Sequence, residues 1–130
     1  MPASELSGRN VVVIVSGGIA AYKVCELVST LVKAGAQVRV VMTESARRFV
    51  GEITFATLSG EPVAHDMWAQ RSDVHHITLA DFADVAIIAP ATASIIGKYT
   101  HGIADDLAST ALLALECPIV VAPAMNSRML

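Results

Sequence analysis

Short apolar segments alternate along the chain with stretches that suit helices. The apolar segments are rich in β-branched residues, which predicts strands that are buried on both faces of a sheet. The predicted strands cover residues 10–16, 36–42, 84–90 and 118–123. The predicted helices cover residues 19–34, 76–82, 91–100 and 107–115. In the first of these helices, apolar residues recur at the i, i+3, i+4, i+7 spacing of one buried face.

Two further stretches are short or irregular. Thr43 or Ser45 is placed to cap a short helix that runs through Phe49. Residues 52–74 predict an irregular helix and a short strand near residues 62–63. Because strands that alternate with helices pair in parallel through right-handed crossovers, the whole pattern predicts an α/β fold. We expect a Rossmann-like open parallel sheet with helices on both faces.

The composition indicates one apolar domain with little polar surface. The chain has 130 residues, of which 54% are apolar and only 16% are charged. We therefore expect other copies of the chain to cover part of its surface. The apolar runs are shorter than the roughly 18 residues of a membrane helix, and the N-terminus lacks the basic start of a signal peptide. A net charge of −3 without a basic block argues against nucleic acid as a partner.

The two cysteines, Cys25 and Cys117, match neither a metal site nor a disulfide framework. Four histidines without ligand spacing do not indicate zinc either. We therefore expect a cytoplasmic homo-oligomer that binds a small molecule and no metal, membrane or nucleic acid.

The junction between the first strand and the first helix, residues 16–19 (SGGI), is a candidate phosphate-binding turn. Glycines let the backbone approach a ligand, and a helix N-terminus offers free N–H groups to a phosphate. The turn departs from the G-x-G-x-x-G dinucleotide pattern, because alanines follow at residues 20–21. The second strand also ends at Thr43 rather than at an acid, and Glu44 is only a weak substitute. A tight turn without any ligand explains the glycines equally well.

Hydroxyl side chains follow three of the predicted strands. They are Ser16, then Thr43 and Ser45, and finally Thr92 and Ser94. Helix capping would explain Thr92 or Ser94 alone. Because ligands of open parallel sheets bind at the carboxyl edge, three such strand ends favour a site there. Hydroxyls suit the phosphate and ribityl chain of a mononucleotide.

With these residues the chain resembles the homo-oligomeric flavin-containing cysteine decarboxylases, and among them the phosphopantothenoylcysteine decarboxylases of coenzyme A biosynthesis. The resemblance runs from about residue 10 to residue 129. The matching segments are residues 16–23 (SGGIAAYK), 41–46 (VMTESA), 76–79 (HITL) with 83–84 (AD), 89–93 (APATA) and 123–126 (PAMN). Each segment is weak alone, and their common order makes the resemblance specific.

The resemblance implies FMN, bound at the carboxyl edge of the sheet and across a subunit contact in a trimer or dodecamer. It implies cofactor contacts from Ser16, Gly17, Gly18, Ile19, Thr43, Ser45, Thr92, Ala93, Ser94 and Ala124. The implied reaction decarboxylates 4′-phosphopantothenoylcysteine to 4′-phosphopantetheine. In it, the flavin oxidises the cysteine to a thioaldehyde, CO2 leaves, and the reduced flavin returns the electrons.

The resemblance also implies a catalytic histidine and a substrate-binding asparagine. His76 would be the acid–base residue near the reacting cysteine, and Asn126, beside Met125, would hold the substrate carboxylate. An amide can orient a carboxylate without the strong attraction of an arginine, which would oppose the loss of CO2. Outside such a motif, a lone histidine or asparagine is more simply a core or capping residue.

Several other features carry expectations of their own. The strand before Asn126 is fully apolar, so we expect it to be buried. Asp105 or Asp106 is expected to cap the helix that follows, although a flavin contact is open. Phe55 and Trp68 are expected at a subunit contact, or else over the flavin.

Members of the resembled family continue beyond the asparagine into a flexible, cysteine-bearing segment that closes over substrate. We therefore expect residues 1–130 to form a single FMN-binding decarboxylase domain that ends before this flap. Three alternatives stay open: an FMN-dependent peptidyl-cysteine decarboxylase, a flavin prenyltransferase, and a non-catalytic flavin-binding oligomeric subunit.

Overall fold

A computed structural model describes residues 6–66 and 76–123, with the backbone alone for residues 76 and 77. The strands are β1 (Asn10–Val15), β2 (Gln37–Met42), β3 (Val85–Ala91) and β4 (Ile119–Pro123). The helices are α1 (Ala21–Lys33), α2 (Glu52–Ser59), α3 (His76–Phe82), α4 (Ala93–His101) and α5 (Leu107–Ala114), with a 3₁₀ turn at Ala46–Arg48. The predicted strands and helices are confirmed, each within two residues of its predicted ends.

The four strands form one parallel sheet in the order β2-β1-β3-β4. The side chains of β1 alternate between its two faces and are buried on both. One face packs on α1 and α2, through residues that include Val13, Val15, Val24, Val28 and Phe55. The other packs on α3, α4 and α5, through residues that include Val12, Ile14, Leu79, Ile95 and Leu107. The predicted open α/β sheet with helices on both faces is therefore confirmed.

Strand β4 differs from its prediction. It pairs with β3 and forms one edge of the described sheet. Val120 is 54% exposed and Val121 is 42% exposed, although successive residues of a strand point to opposite faces. Both faces of β4 are thus open, and the prediction of a buried last strand is wrong. An apolar run has the same appearance at the centre and at the edge of a sheet, so the sequence pattern could not separate the two.

The middle of the chain is more regular than expected up to residue 66. Helix α2 is a regular helix that ends at Gly60, whose φ of 76° suits a residue without a side chain. The predicted short strand is reduced to a bridge between Ala64 and Val41. Phe55 lies fully buried in the core between α1, α2 and the sheet, so its predicted place at a subunit contact is wrong. Trp68 lies outside the described residues.

None of the helices in residues 6–66 and 76–123 combines the length and the apolar character that crossing a membrane requires.

Candidate functional site

A cavity of about 470 Å³ lies at the carboxyl edge of the sheet. It is lined by residues that follow β1, β2 and β3 and by the start of α5. These residues are Ser16, Gly17, Thr43, Glu44, Ser45, Thr92, Ser94, Ile95, Lys98, Asp105 and Asp106. The three hydroxyl-bearing strand ends therefore meet in one cavity, as expected for parallel strands that end at one edge.

Ser16 ties the end of β1 to the end of β3. Its side chain is 2% exposed, and its hydroxyl donates a hydrogen bond to the Pro90 carbonyl oxygen. The Ser16 hydroxyl oxygen in turn accepts a hydrogen bond from the Thr92 N–H at 3.1 Å. The hydroxyl proton is thus engaged within the protein, and Ser16 shapes the wall of the cavity by holding the turn before α4.

Gly17 is required by a close approach between the turns after β1 and β2. A Cβ atom at residue 17 would overlap the side chain of Ser45 and come within 2.9 Å of the Ser45 carbonyl carbon. At Gly18 a Cβ atom would meet Thr92 at an ordinary distance of 3.7 Å. Of the two glycines in the turn, only Gly17 is therefore demanded by the packing.

Thr43 and Thr92 combine helix capping with a place in the cavity wall. The Thr43 hydroxyl oxygen accepts a hydrogen bond from the Ala46 N–H at 3.1 Å, and thereby caps the 3₁₀ turn. The Thr92 hydroxyl oxygen caps α4 by accepting from the Ile95 N–H at 3.4 Å. Because each hydroxyl uses its oxygen as the acceptor, its proton stays available to donate to a ligand.

Some predicted cofactor residues lie apart from the cavity wall. Gly18, Ile19 and Ala93 are not among the residues that line it. The Ile19 side chain is 78% exposed at the start of α1. Ala93 is the first residue of α4, directly after Thr92.

Lys98, which lies on the charged side of the cavity, was not predicted from the sequence. The Lys98 ammonium of α4 lies 3.1 Å from an Asp105 carboxylate oxygen. This hydrogen bond, with weaker help from Ser109, holds the pKa of the Asp105 carboxyl below its usual value. Asp106 caps α5, as its carboxylate accepts from the Ser109 N–H at 2.8 Å. The spacing of Ser94 and Lys98, which places both on one helix face, could have revealed Lys98.

The residues predicted to carry the chemistry belong to the start of α3 and to the segment that follows β4 in the sequence. His76 is the first residue of α3, and the structure describes its backbone only. Helix α3 packs against the sheet and α5 through the buried Leu79. Ala124, Met125 and Asn126 lie outside the described residues. Strand β4, which leads to them, ends at Pro123 on the same carboxyl edge.

The chain is similar to proteins of known identity. One curated relative, the coenzyme A biosynthesis bifunctional protein CoaBC of Bacillus subtilis, is 54% identical over 126 residues. This match covers 95% of the chain and 31% of the Bacillus subtilis protein. A CoaBC of Mycobacterium tuberculosis is 50% identical over 121 residues, which cover 93% of the chain and 29% of that protein. The chain thus spans about a third of the length of these relatives.

Solved structures and a family model point the same way. The FMN-dependent cysteine decarboxylase SpaF has a TM-score of 0.88 and 35% identity, over 95% of this chain and 73% of that one. A PPC decarboxylase mutant complexed with pantothenoylaminoethenethiol has a TM-score of 0.78 and 31% identity, over 93% of this chain and 69% of that one. The model of the family described as Flavoprotein matches residues 2–130. The chain therefore belongs to the Flavoprotein family.

Proposed function

We propose that this chain binds FMN and catalyses the decarboxylation of 4′-phosphopantothenoylcysteine to 4′-phosphopantetheine in coenzyme A biosynthesis. The observation that carries the proposal is the 54% identity with a CoaBC protein over 126 residues. The likeness to a PPC decarboxylase structure supports the same substrate. The likeness to the FMN-dependent cysteine decarboxylase SpaF supports the cofactor.

The cavity suits FMN. Its volume of about 470 Å³ falls within the range of small-molecule sites, roughly 300–1,000 Å³. Gly17 allows the turns after β1 and β2 to lie close together, and hydroxyl-bearing residues from three strand ends line the cavity. Within our proposal, these cofactor contacts come from Ser16, Gly17, Gly18, Ile19, Thr43, Ser45, Thr92, Ala93, Ser94 and Ala124. When bound, FMN supplies the redox chemistry at the substrate cysteine.

The protein's own part is to hold the substrate and to move protons. We assign the proton transfer near the substrate thiol to His76, since an imidazole changes its charge close to neutral pH. We assign the substrate carboxylate to the Asn126 amide, which donates hydrogen bonds without fixing the negative charge, with Met125 beside it. These three roles are supported by the order of the sequence motifs.

The test uses the full-length protein with FMN and 4′-phosphopantothenoylcysteine. We expect release of CO2 and a product with the mass of 4′-phosphopantetheine. His76→Asn should keep the bound flavin and lose turnover by roughly 10²–10⁴-fold, the range of general acid–base catalysis. The exposed His101→Asn is the matched control and should be fully active. A flavin-loaded wild-type protein that releases no CO2 would refute the proposal.

A substrate that ends in a peptide cysteine is the second candidate. TvaF, a cysteine decarboxylase from thioviridamide biosynthesis that is 28% identical to this chain, favours a cysteine substrate outside coenzyme A biosynthesis. The higher identity to CoaBC ranks it below phosphopantothenoylcysteine. Presenting both substrates to the same enzyme and weighing the products by mass spectrometry separates the two.

We further propose a cytoplasmic homo-oligomer, a trimer or a dodecamer, with FMN at a subunit contact. Its support is the apolar surface of the single chain, where large side chains such as Ile19, Ile53 and Val120 are exposed. Both Cys25 and Cys117 are free thiols, which suits a reducing compartment. Light scattering of the purified protein gives the number of subunits.

A further inference from the structure

Arg39 is a charged side chain on the face of β2 that packs on α3. It lies two residues before Val41, and alternate residues of a strand share a face. Val41 is fully buried in the cluster between the sheet and helices α3, α4 and α5. The Arg39 guanidinium carbon lies 4.4 Å from the centroid of the Phe82 ring. At this distance the negative face of an aromatic ring attracts a cation, so Arg39 and Phe82 link β2 to α3.

Helix α3 depends on tertiary contacts for its orientation. It has seven residues, from His76 to Phe82, and a helix of this length is marginal by itself. Leu79 fixes its middle, since this side chain is 1% exposed and packs between the sheet and α5. A single buried contact leaves the helix free to tilt about that point. Phe82 follows three residues later on the same side of the helix, and the Arg39 contact therefore limits the tilt.

The end of α3 that carries Phe82 is its fixed end. Directly after it, the Asp84 N–H donates to the Asn10 carbonyl oxygen at 2.8 Å, and the Asn10 N–H donates to the Asp84 carboxylate at 2.9 Å. With a rise of about 1.5 Å per residue, residue 76 lies about 9 Å along the helix from Phe82, so a tilt of about 10° would move it by about 1.5 Å. The start of α3 is thus the part that a weaker contact at Phe82 would displace most.

The Phe82 ring borders a hollow of about 150 Å³ that Arg39 also lines. The other residues around this hollow come mainly from the start of β2 and the end of α2, among them Gln37, Ser59 and Glu61. Removing the guanidinium would widen the hollow and leave one face of the ring without its cover. The ring could then shift into the hollow, and α3 would shift with it.

We propose that Arg39 is a positioning residue for the decarboxylation, because its contact with Phe82 holds α3 at the angle that brings His76 to the substrate. The inference rests on the proposed function, in which His76 transfers the proton, and deepens it. Arg39 is not among the residues that line the cavity at the carboxyl edge. Its effect on the reaction therefore passes through the helix and not through a contact with the ligand.

The first measurement is steady-state turnover of 4′-phosphopantothenoylcysteine by the full-length protein with FMN, well below the melting temperature of every variant. Arg39→Met keeps most of the side-chain length and removes the cation. It should lower kcat about tenfold and leave KM within about twofold, because displacing a catalytic group by about 1 Å is felt in the transition state. Arg9→Met is the matched control, since it removes the same charge from an exposed side chain, and it should turn over like the wild type.

The second measurement is amide hydrogen exchange of the apoproteins, which needs neither flavin nor turnover. Arg39→Met should exchange faster in α3 and keep the wild-type rate in α1, which packs on the other face of the sheet. A double-mutant cycle with Phe82→Leu tests the route. Because both changes remove the same contact, the double variant should have a kcat within about twofold of Phe82→Leu alone.

Each other outcome is decisive. An unchanged kcat in Arg39→Met overturns the inference. So does faster exchange in α1 as well as in α3, which would mean that Arg39 only stabilises the whole fold. Losses that multiply in the double variant overturn it too, because Arg39 would then act independently of Phe82. A flavin-loaded wild type that releases no CO2 overturns the proposed function, and this inference with it, whereas the preceding results overturn the inference alone.

Discussion

Replacing Gly17 by alanine should destabilise the fold, whereas the same change one residue later should not. A Cβ at residue 17 overlaps the Ser45 side chain and lies within 2.9 Å of a Ser45 backbone atom, which cannot rotate away. Overpacking of this kind costs about 1–3 kcal/mol. At Gly18 the new Cβ meets side-chain atoms at 3.7 Å and 3.8 Å, with no left-handed backbone to strain. Gly18→Ala should therefore be neutral or stabilise by about 0.4–1 kcal/mol, through the lower entropy of the unfolded chain.

Urea unfolding of the two apoproteins measures the difference in unfolding free energy, which should be about 1–4 kcal/mol from the ranges for overpacking and for glycine replacement. The double variant Gly17→Ala with Ser45→Gly tests the cause. It removes the side-chain overlap but keeps the backbone contact, so it should recover part of the lost stability. Equal stability of the Gly17→Ala and Gly18→Ala proteins would refute the argument that the turns after β1 and β2 are in steric contact.

The hydrogen bonds of Ser16 and the charge of Asp105 give two further predictions. Ser16→Ala leaves the Pro90 carbonyl and the Thr92 N–H without their partner, which should cost about 2 kcal/mol in urea unfolding. The exposed Ser94→Ala should cost less than about 0.5 kcal/mol, and equal losses would contradict the buried bridge. Lys98 lowers the pKa of Asp105, so this carboxylate stabilises the fold above its unfolded pKa of about 3.9, and the contribution disappears as the pH falls through the lower folded pKa. Asp105→Asn should therefore lower the thermal midpoint at pH 7, and this loss should shrink as the pH falls through the folded pKa; a loss that does not depend on pH would contradict the assignment.

The sequence predicted the architecture because its strongest patterns are local. The run of β-branched residues in β1 indicates a strand that is buried on both faces. The i, i+3, i+4, i+7 spacing of apolar residues in α1 indicates the helix that covers one of these faces. Parallel strands end at one edge, so hydroxyls after β1, β2 and β3 had to meet there. These parts of the candidate site follow from chain order alone.

The exposure of β4 and the ion pair between Lys98 and Asp105 depend on how separate elements are arranged in space, which local sequence patterns do not determine. The order of strands in the sheet depends on the direction of each crossover connection, and the apolar sequence of β4 does not determine that this strand lies at an edge. The pairing of Lys98 with Asp105 spans the left-handed turn at Gly102, where α4 ends and the chain turns toward α5. Either Asp105 or Asp106 was expected to cap α5, and Asp106 does so, because its carboxylate accepts from the Ser109 N–H. Side-chain geometry of this kind emerges only when the turn is built.

The cavity wall serves the fold and the proposed ligand with the same atoms. The hydroxyl oxygens of Thr43 and Thr92 accept hydrogen bonds from backbone N–H groups that the start of a helix would otherwise leave unpaired. These hydrogen bonds hold the two hydroxyl oxygens in place. A fixed hydroxyl can donate to a ligand with little further loss of freedom. Capping and ligand binding are therefore not competing explanations of these residues. The capping interactions make the site rigid before any ligand arrives, as the Asp105 carboxylate does for the Lys98 ammonium.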